Sequence, residues 1–445
     1  MKTAPLAFAK AEQVDEQLVR AIGVPGLTAN IVNTTIGASI FVLPAVMAKM
    51  LGGAAPLAFI ACAIAQAIFV TCFAMAGSRV SLTGGLYAYV EVAFGRYVGF
   101  LAGLMNFTTA ILSIAAVMNV LVDAAVAFSP ILASPLGRAG VMLLVFAVLV
   151  AINVRSVRAG TNVVTFVTLV KIIPLLVFVA AGIFFIKPSA LNFTTHVSSG
   201  SFGEAMLLLM FAFFGIESSL TPSGEVRNPA RTVPRSIYLA LAVTTIIYIL
   251  IQLVAQGTLG ARLADNTISP LAQSASITLG NFGRVLLLVG ATISSFGYVT
   301  SDILNSPRTL FAFGRDGVLP KFFAHVHPRF RSPDVAIIAY ALIAFALSLT
   351  STFEGLAVMA NVAALLLYIM CCAAAWQLQR TNKRTDGAPF QFRGAQIFPF
   401  VAIALIVWML THATRHEFVV VGVVLLIGSA LYFLRVLTSR PAVAH

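Results

Sequence analysis

A long apolar stretch near the start of the chain is interrupted at its centre by small and polar residues. The stretch, GLTANIVNTTIGASIFVLPAVMAKM over residues 26–50, is longer than the roughly 20 apolar residues that a helix needs to cross a bilayer. The small and polar residues in its middle, NTTIGAS at 33–39, predict that the helix is interrupted there. An interruption leaves backbone N–H and C=O groups without partners. At membrane depth it is stable only where protein, a water-filled cavity or a ligand forms hydrogen bonds with those groups. The stretch therefore predicts either a binding site or close packing of two helices at small residues.

The composition of the whole chain places this stretch in a membrane protein. Of 445 residues, 60% are hydrophobic and 10% are charged, with a mean hydropathy of +0.98, whereas soluble domains carry about 25% charged residues. We therefore predict an all-α polytopic membrane protein. The net charge of +13 implies no nucleic-acid partner, because basic residues collect in the cytoplasmic loops of membrane proteins. The four cysteines lie in apolar spans, so no disulfide, metal or other cofactor is predicted.

Apolar runs separated by turns and charges predict about twelve transmembrane helices. The predicted spans are residues 26–51, 54–78, 95–128, 139–154, 160–186, 203–224, 233–256, 275–312, 333–352, 355–379, 396–413 and 417–437. Both the amino-terminal segment, 1–25, and the tail, 438–445, are predicted to be cytoplasmic, because this arrangement puts most basic loop residues inside. No loop is long enough to form a catalytic domain, and no serine or cysteine lies in a motif with histidine or aspartate, so we predict no enzyme.

The third and eighth spans are unusually long, which predicts strong tilt in the membrane. The eighth span also ends in charged residues. We predict that these form a solvated ion-pair network at the cytoplasmic end. The residues concerned are Asp302, Arg308, Arg315 and Asp316.

The sixth span is interrupted as well, in the sequence FAFFGIESS at 211–219. Two interrupted spans five helices apart are typical of an inverted-repeat transporter, whose site lies where the repeats meet. We predict a 5+5 inverted repeat with broken helices 1 and 6, plus two further helices. The first repeat covers 26–186, the second covers 203–379, and peripheral helices 11 and 12 cover 396–437.

Helix interruptions expose two kinds of backbone group. N–H groups at the start of a half-helix suit an anion such as a carboxylate, and C=O groups at the end of a half-helix suit an ammonium group. A zwitterionic α-amino acid matches both, so the pair of interruptions favours an amino acid over a sugar or a simple ion.

Two ionisable residues lie inside apolar spans and are functional candidates. Lys171, in the fifth span, is predicted either to exchange protons or to hold the broken first helix through its carbonyl groups. Glu217, in the sixth span, is predicted to serve as a gate, as a proton carrier or as a cap for unwound backbone.

Four segments resemble the amino acid-polyamine-organocation (APC) transporter superfamily. They are TIGASIF at 35–41, SLTGGLYAYVEVAFG at 81–95, FAFFGIESSLTPSGEVRNPARTVPRSI at 211–237 and SPRTLFAFGRDGVLPKFF at 306–323. The third contains a loop similar to the family pattern E-x-K/R-N-P-x-R-x-I/V-P-R, and the fourth a motif similar to R-D-G-x-L-P. The resemblance implies the 5+5+2 helix fold and transport by alternating access.

The same resemblance implies roles for particular residues. It places the substrate carboxylate at backbone N–H groups after the first break and the amino group at carbonyls ending the first half-helices. The implied substrate-binding residues are Thr35, Gly37, Ala38, Ser39, Phe211, Phe214 and Gly215. Phe211 and Glu217 are implied to gate the site. Lys171 is implied to occupy the place of a sodium ion, next to the Gly37 region and to Ser294 or Ser295.

One departure from the family pattern bears on the substrate. The pattern at the first break is usually G-S/T-G, whereas this chain has Gly37-Ala38-Ser39. The Ser39 side chain is predicted to narrow the approach to the backbone, or to bond the substrate directly, and so to favour a small one. A cluster of acids is absent from the predicted pocket, which favours a neutral amino acid over a polyamine.

We therefore predict a sodium-independent, proton-coupled transporter of small or neutral L-amino acids in a plasma membrane of the bacterial inner-membrane type. Its predicted partners are the amino acid, protons and membrane lipid. Exchange, with Lys171 as a structural cation, and uniport remain open. A channel or a membrane sensor is the alternative from another class.

Overall fold

The chain forms fifteen α-helices within the part that the computed structural model describes. The described residues are 22–80, 85–155, 171–191, 198–217, 220, 226–265, 269–315, 318–330, 332–383 and 389–438. The helices are α1 Val24–Thr35, α2 Leu43–Leu51, α3 Ala55–Gly77, α4 Leu86–Phe94, α5 Arg96–Phe128, α6 Pro135–Arg155, α7 Ile172–Gly182, α8 Ser199–Leu209, α9 Pro229–Leu259, α10 Pro270–Asn305, α11 Pro307–Arg315, α12 Asp334–Thr350, α13 Phe353–Arg380, α14 Phe398–Leu410 and α15 Arg415–Thr438. Nearly all of the predicted segment 1–25, and of the tail, lies outside these residues.

Proline marks the start of several helices. α1 has Pro25 in its first turn, and four later helices begin at Pro135, Pro229, Pro270 and Pro307. Proline has no N–H, and the N–H groups of a first turn have no acceptor within the helix, so proline costs little there. These prolines therefore mark helix boundaries already visible in the sequence.

Within the described residues, seven helical segments are long and apolar enough to cross a membrane, and four shorter helices are also apolar. The long segments are Leu43–Gly77, Arg96–Phe128, Pro135–Arg155, Pro229–Leu263, Pro270–Arg315, Phe353–Arg380 and Arg415–Arg435, and the shorter ones are Ile172–Phe185, Ser199–Phe213, Asp334–Thr350 and Phe398–Leu410. The described part contains no β-strand, only an isolated bridge between Ile22 and Val226. The chain is thus a multi-pass helical membrane protein.

The two longest predicted spans differ in structure. α5 has 33 residues, or about 50 Å of helix, and exceeds the roughly 30 Å hydrocarbon layer. α10 has 36 residues but contains Gly280 with φ 62° and ψ −151°. This non-helical residue divides α10 into two segments, so its length does not by itself require tilt.

Two helices form the centre of the molecule. α13 packs along α5, and 72% of the residues in the most apolar part of each helix are buried. The corresponding share is only 17% in α6 and 11% in α15. The apolar outer faces of α6 and α15 suit lipid, which is as apolar as leucine.

α9 supports the first span along its length. The Ser236 hydroxyl donates to the Val24 carbonyl at 3.2 Å, and the Gln256 amide donates to the Gly52 carbonyl at 3.1 Å. These bonds lie at opposite ends of the first span. α9 therefore holds both halves of that span, on either side of its interruption.

Candidate functional site

The first span is interrupted between α1 and α2. The Ile36 N–H still donates to the Val32 carbonyl at 2.9 Å, but the ψ of Ile36 is 87°, which is not helical. The chain resumes a helical course in a 3₁₀ turn at Ser39–Phe41, before α2. The interruption lies at the small and polar residues that predicted it.

Two N–H groups open the second half of this span. Among the described residues, neither the Ala38 nor the Ser39 N–H has a hydrogen-bond acceptor, and both residues are buried. A side chain added at Gly37 would meet only the Thr35 carbonyl oxygen, at 3.9 Å, so space remains beside it. Unpaired N–H groups at the start of a helix carry partial positive charge and suit an anionic group.

The sixth span is interrupted in a similar way. α8 ends at Leu209 and continues as a 3₁₀ turn at Met210–Phe213. Phe214 is extended, with ψ 152°, and Gly215 has φ 113°, a region that glycine enters without steric cost. Most of the chain beyond Glu217 in this span lies outside the described residues, so its second half-helix stays a prediction.

The two interruptions contact each other directly. The Thr34 hydroxyl lies 3.1 Å from the Gly215 carbonyl oxygen and 3.0 Å from the Asn30 and Ile31 carbonyl oxygens of its own helix, and its single proton is shared among these acceptors. A Cβ atom at Gly215 would lie 2.6 Å from the carbonyl carbon and oxygen of Thr34 and 2.9 Å from the Thr35 nitrogen. Only a residue without a side chain allows this approach, so Gly215 is where the backbones of the two spans meet.

Tyr248 of α9 links the two half-helices that precede the interruptions. Its side chain is fully buried, and its hydroxyl lies 2.9 Å from the Thr35 carbonyl oxygen and 2.8 Å from the Ala212 carbonyl oxygen. A hydroxyl has one proton, so it donates to these two carbonyls alternately or shares the proton between them. Both half-helix ends are therefore tied to α9.

Glu217 caps the interruption in the sixth span. One carboxylate oxygen accepts the Gly215 N–H at 3.1 Å, and the other accepts the Tyr368 hydroxyl from α13 at 3.0 Å. The carboxylate thus replaces a helical acceptor for unwound backbone. This geometry matches the capping role among those predicted for Glu217.

Lys171 precedes the first residue of α7 and points at the first span. Its ammonium group donates to the Asn33 carbonyl oxygen in α1. That carbonyl lies close before the interruption, in a turn where helical carbonyls begin to lack partners. Lys171 therefore contacts the first span through a backbone carbonyl four residues before Gly37.

Ser294 and Ser295 lie about one turn beyond the point where the eighth span contacts the first and fifth spans at Gly290. A Cβ atom at Gly290, one turn earlier, would lie 2.8 Å from the Pro174 side chain in α7. Ser294 follows Gly290 by one turn in α10, and Lys171, the residue before α7, precedes Pro174 by about one turn. Both serine hydroxyls are buried without a hydrogen-bond partner in the described part of the chain.

Aromatic side chains surround the interruption in the sixth span. The ring of Phe211 lies 5.6 Å from that of Phe214 and 5.6 Å from that of Phe353, at the start of α13. Phe214 in turn approaches the ring of Tyr368 at 6.3 Å. Phe211 is buried, so its packing against α13 is compatible with the predicted gate.

Asp302 does not take part in the ion-pair network predicted at the end of the eighth span. It accepts hydrogen bonds from the Ser306 hydroxyl at 2.7 Å and from the Tyr340 hydroxyl. Within the described residues it forms no salt bridge with either arginine of that network, and Asp316 lies outside those residues. Asp302 is a hydroxyl-bonded carboxyl group rather than a member of an ion pair.

Sequence reasoning missed three residues that hold the site. They are Tyr248, Tyr368 and Asn361, whose amide donates to the Leu207 carbonyl of α8 at 2.6 Å. Each is a polar group inside an apolar span, where it needs a partner. That signal shows that a partner exists, but the partner itself depends on the tertiary packing.

Comparison with known proteins gives the family to which the chain belongs. The model of a family described as amino acid permease matches residues 22–433. The methylthioribose transporter of Bacillus subtilis is 26% identical, over 97% of this chain and 96% of the relative. The serine/threonine exchanger SteT of the same organism is 28% identical, over 88% and 90%. Its branched-chain amino acid permease BcaP is 24% identical, over 94% of both chains.

The match to the family model includes both interrupted spans and the helices that hold them. It also agrees with the resemblance to the APC superfamily seen in the sequence motifs. The chain belongs to the amino acid permease family of that superfamily.

Proposed function

We propose that the chain is a secondary active transporter that moves small neutral L-amino acids across the cell membrane by alternating access. The observation that carries this proposal is the contact between the two helix interruptions at Thr34 and Gly215. Helix-start N–H groups and helix-end C=O groups lie close to this contact. Such a place suits a molecule with a carboxylate at one end and an ammonium group at the other.

The two ends of the amino acid are assigned to different backbone groups. The carboxylate is held by the N–H groups of Ala38 and Ser39, which lack acceptors among the described residues. The ammonium group is held by the carbonyls of Thr35, Phe211 and Phe214. The Thr35 carbonyl already accepts a hydrogen bond from a tyrosine, but a carbonyl oxygen has two lone pairs and has room for a second donor.

The surroundings favour a small and uncharged substrate side chain. Ser39 is only 3% exposed, so its hydroxyl takes up room next to the carboxylate site. Phe211 lies across the sixth span against Phe353 and serves as the lid in this proposal. The Glu217 carboxylate accepts the Gly215 N–H and the Tyr368 hydroxyl, so in this proposal it holds the unwound backbone rather than a cationic substrate side chain.

The coupling proposal rests on Lys171. An ammonium group near Ser294 and Ser295 repels a sodium ion, so we propose that transport is independent of sodium and is driven by protons. The serine hydroxyls are buried without partners in the described part of the chain. In this proposal their oxygens accept hydrogen bonds from the Lys171 ammonium group when the protein changes conformation. In this proposal, Lys171 is the residue that exchanges the coupled proton.

Exchange of one amino acid for another is the second candidate. It is favoured by the hydrogen bond from Lys171 to the Asn33 carbonyl, because a lysine that permanently holds the first span acts as a structural cation. Similarity to a serine/threonine exchanger supports the same candidate. The two candidates differ in whether a proton gradient drives accumulation.

We also propose the complete architecture behind this function. Twelve membrane helices form a 5+5 inverted repeat over 26–186 and 203–379, with peripheral helices 11 and 12 over 396–437. Both termini, including 1–25 and 438–445, lie in the cytoplasm of a cell with a bacterial-type inner membrane. The two interrupted spans, α1–α2 and the span that contains α8, occupy corresponding positions in the repeats, which supports this arrangement.

Two alternatives to an amino acid transporter are distinguished by experiment: a transporter of a different substrate, and a channel or sensor. Similarity to a methylthioribose transporter raises a sugar derivative as a substrate, and this compound carries neither a carboxylate nor an ammonium group. A channel or a sensor would also use interrupted helices. A sensor does not move its ligand, and a channel does not show saturable counterflow.

The test is uptake of labelled amino acids, and of methylthioribose, by purified protein in liposomes in sodium-free buffer, with and without an inward proton gradient. Accumulation driven by the gradient supports proton symport. Uptake that occurs only against a preloaded amino acid supports exchange instead. Absence of uptake for every amino acid, with or without preloading, would contradict the proposal.

A further inference from the structure

A carboxyl group in the eighth span is enclosed by hydroxyl groups on both of its oxygens. The Ser306 hydroxyl donates to one oxygen of Asp302 at 2.7 Å. The Tyr340 hydroxyl, from α12, donates to the other. Tyr340 is completely buried, and its ring packs edge-on against Phe107 of α5 at 5.8 Å. Asp302 thus joins α10 to α12 at a point that is also in contact with α5.

The partners of Asp302 differ from those of a structural ion pair. No lysine or arginine in the described part of the chain forms a salt bridge with it. The Asp123 carboxyl group, in contrast, pairs with Arg138 at 2.6 Å. A guanidinium group can only donate, whereas a hydroxyl group either donates or accepts. The enclosure around Asp302 therefore accommodates a carboxylate and, after rotation of a hydroxyl, a carboxylic acid.

The carboxyl group is also linked to the interruption in the sixth span. Tyr298 precedes Asp302 by one turn on the same face of α10. Its hydroxyl lies in the neighbourhood of the Ser113 side chain of α5 and within electrostatic range of the carboxyl groups of Asp302 and Glu217. The groups facing Asp302 are therefore Tyr340, Ser306 and Tyr298, with Glu217 beyond.

We propose that Asp302 is a proton-binding site of the transport cycle, distinct from Lys171, and that its protonation changes the connection between α10 and α12. On protonation the carboxylate takes up one proton and becomes a carboxylic acid. One of the two hydroxyl groups that had donated to it then accepts a hydrogen bond from it. Because that change falls at the contact between two helices, it alters how they are held relative to each other. The transport part of this inference rests on the function proposed above.

The first test measures proton binding without any substrate. Purified protein in lipid nanodiscs is titrated with acid, and the carboxylic acid C=O band is followed by infrared difference spectroscopy. We expect a pH-dependent band that is lost in Asp302→Asn and kept, at a shifted frequency, in Asp302→Glu. The control Asp123→Asn, which removes a carboxyl group paired with arginine, should keep the band. A band unchanged in Asp302→Asn would overturn the proposal.

The second test measures the role of Asp302 in transport. Counterflow of labelled amino acid is recorded over a range of pH for wild type, Asp302→Asn and Asp123→Asn. We expect the pH profile of Asp302→Asn to lose the Asp302 contribution and so to shift relative to the profile that wild type and Asp123→Asn share. An unchanged pH profile in Asp302→Asn would overturn the link between Asp302 and transport. If the wild type shows no counterflow, the proposed function fails, and the infrared titration still decides whether Asp302 binds a proton.

Discussion

At the scale of single residues, Gly215 and Lys171 contact the first span from two other parts of the chain. Gly215 does so through its lack of a side chain, which lets its backbone approach Thr34. Lys171 does so through an ammonium group bonded to the Asn33 carbonyl. Neither contact involves a neighbour in sequence. Substitution of each residue therefore tests a tertiary contact at the interruption.

Replacing Gly215 by alanine should reduce both stability and transport. Its φ of 113° is unfavourable for residues with a Cβ atom by about 1–2 kcal/mol, and the new atom would overlap the Thr34 backbone. We expect a lower melting temperature and strongly reduced counterflow, measured on purified protein. The control is Gly140→Ala, where a Cβ atom meets nothing within 4 Å. Equal behaviour of the two variants would contradict a close contact between the interruptions.

Replacing Lys171 by alanine should abolish uptake and leave the protein folded. The Asn33 carbonyl loses its ammonium donor, and the first span loses its side-chain contact with the residue before α7. We expect loss of uptake in liposomes, with a normal elution profile in size-exclusion chromatography. Lys49→Ala is the matched control, because Lys49 is exposed at the end of α2. Full activity of Lys171→Ala with an unchanged pH dependence would remove Lys171 from the coupling mechanism.

At the scale of secondary-structure elements, α9 acts as a support for the interrupted helices. It bonds to the first span before and after the interruption, and its Tyr248 reaches the ends of both half-helices. An interrupted helix lacks the internal hydrogen bonds that would keep its halves aligned. A neighbouring intact helix therefore has to supply that alignment.

Tyr248→Phe tests this support while keeping the aromatic ring. Loss of the hydroxyl leaves the Thr35 and Ala212 carbonyls without this donor, which should cost about 1–3 kcal/mol and lower the melting temperature. We also expect a changed substrate affinity in counterflow, because the half-helix ends are less well held. Tyr97→Phe, which removes a bond to Ser429 between α5 and α15, should leave the affinity as in wild type. Matching affinities in both variants would argue against a role for α9 in alignment.

At the scale of the whole molecule, the orientation in the membrane is open to direct measurement. The four native cysteines, Cys62, Cys72, Cys371 and Cys372, are buried, so a membrane-impermeant maleimide should label the wild type weakly. The proposed topology places the loop at Lys187 outside the cell and the loop at Arg329 inside.

Both positions are exposed in the structure, so a cysteine introduced at either of them is accessible to the reagent from one side. We expect Lys187→Cys to be labelled in intact cells and Arg329→Cys to be labelled only after the cells are permeabilised. The reverse pattern would invert the topology, and labelling of both variants in intact cells would contradict the count of spans between them. Labelling of both after permeabilisation is the control for reactivity.

Much of the candidate site was predictable because it consists of departures from a regular apolar pattern. The small and polar residues at 33–39 predict the first interruption, and Gly215 and Glu217 predict the second. Membrane helices are regular because every backbone group needs a partner in lipid. A break in the apolar pattern therefore indicates a place where the backbone N–H and C=O groups have hydrogen-bond partners outside their own helix.

The partners at these breaks were not predictable in the same way. Tyr248 and Tyr368 read as ordinary aromatic residues of apolar spans, yet they bond to the backbone and to the carboxylate of the interruptions. Asp302 was predicted to form an ion pair, but the structure places hydroxyl groups around it. Apart from Ser306, which follows Asp302 by about one turn, these partners lie on other spans, far away in sequence.

The sequence by itself determined that the chain is a helical membrane protein, where most of its helices lie, and where two of them are interrupted. These properties follow from local hydrophobicity and backbone chemistry, which depend only on residues that are close in sequence. Only the tertiary structure decided that the two interruptions meet at Gly215, that α9 holds both, and that Asp302 is bonded by Tyr340. The physical reason is that such contacts depend on how helices pack and rotate against one another, and no local pattern specifies that arrangement.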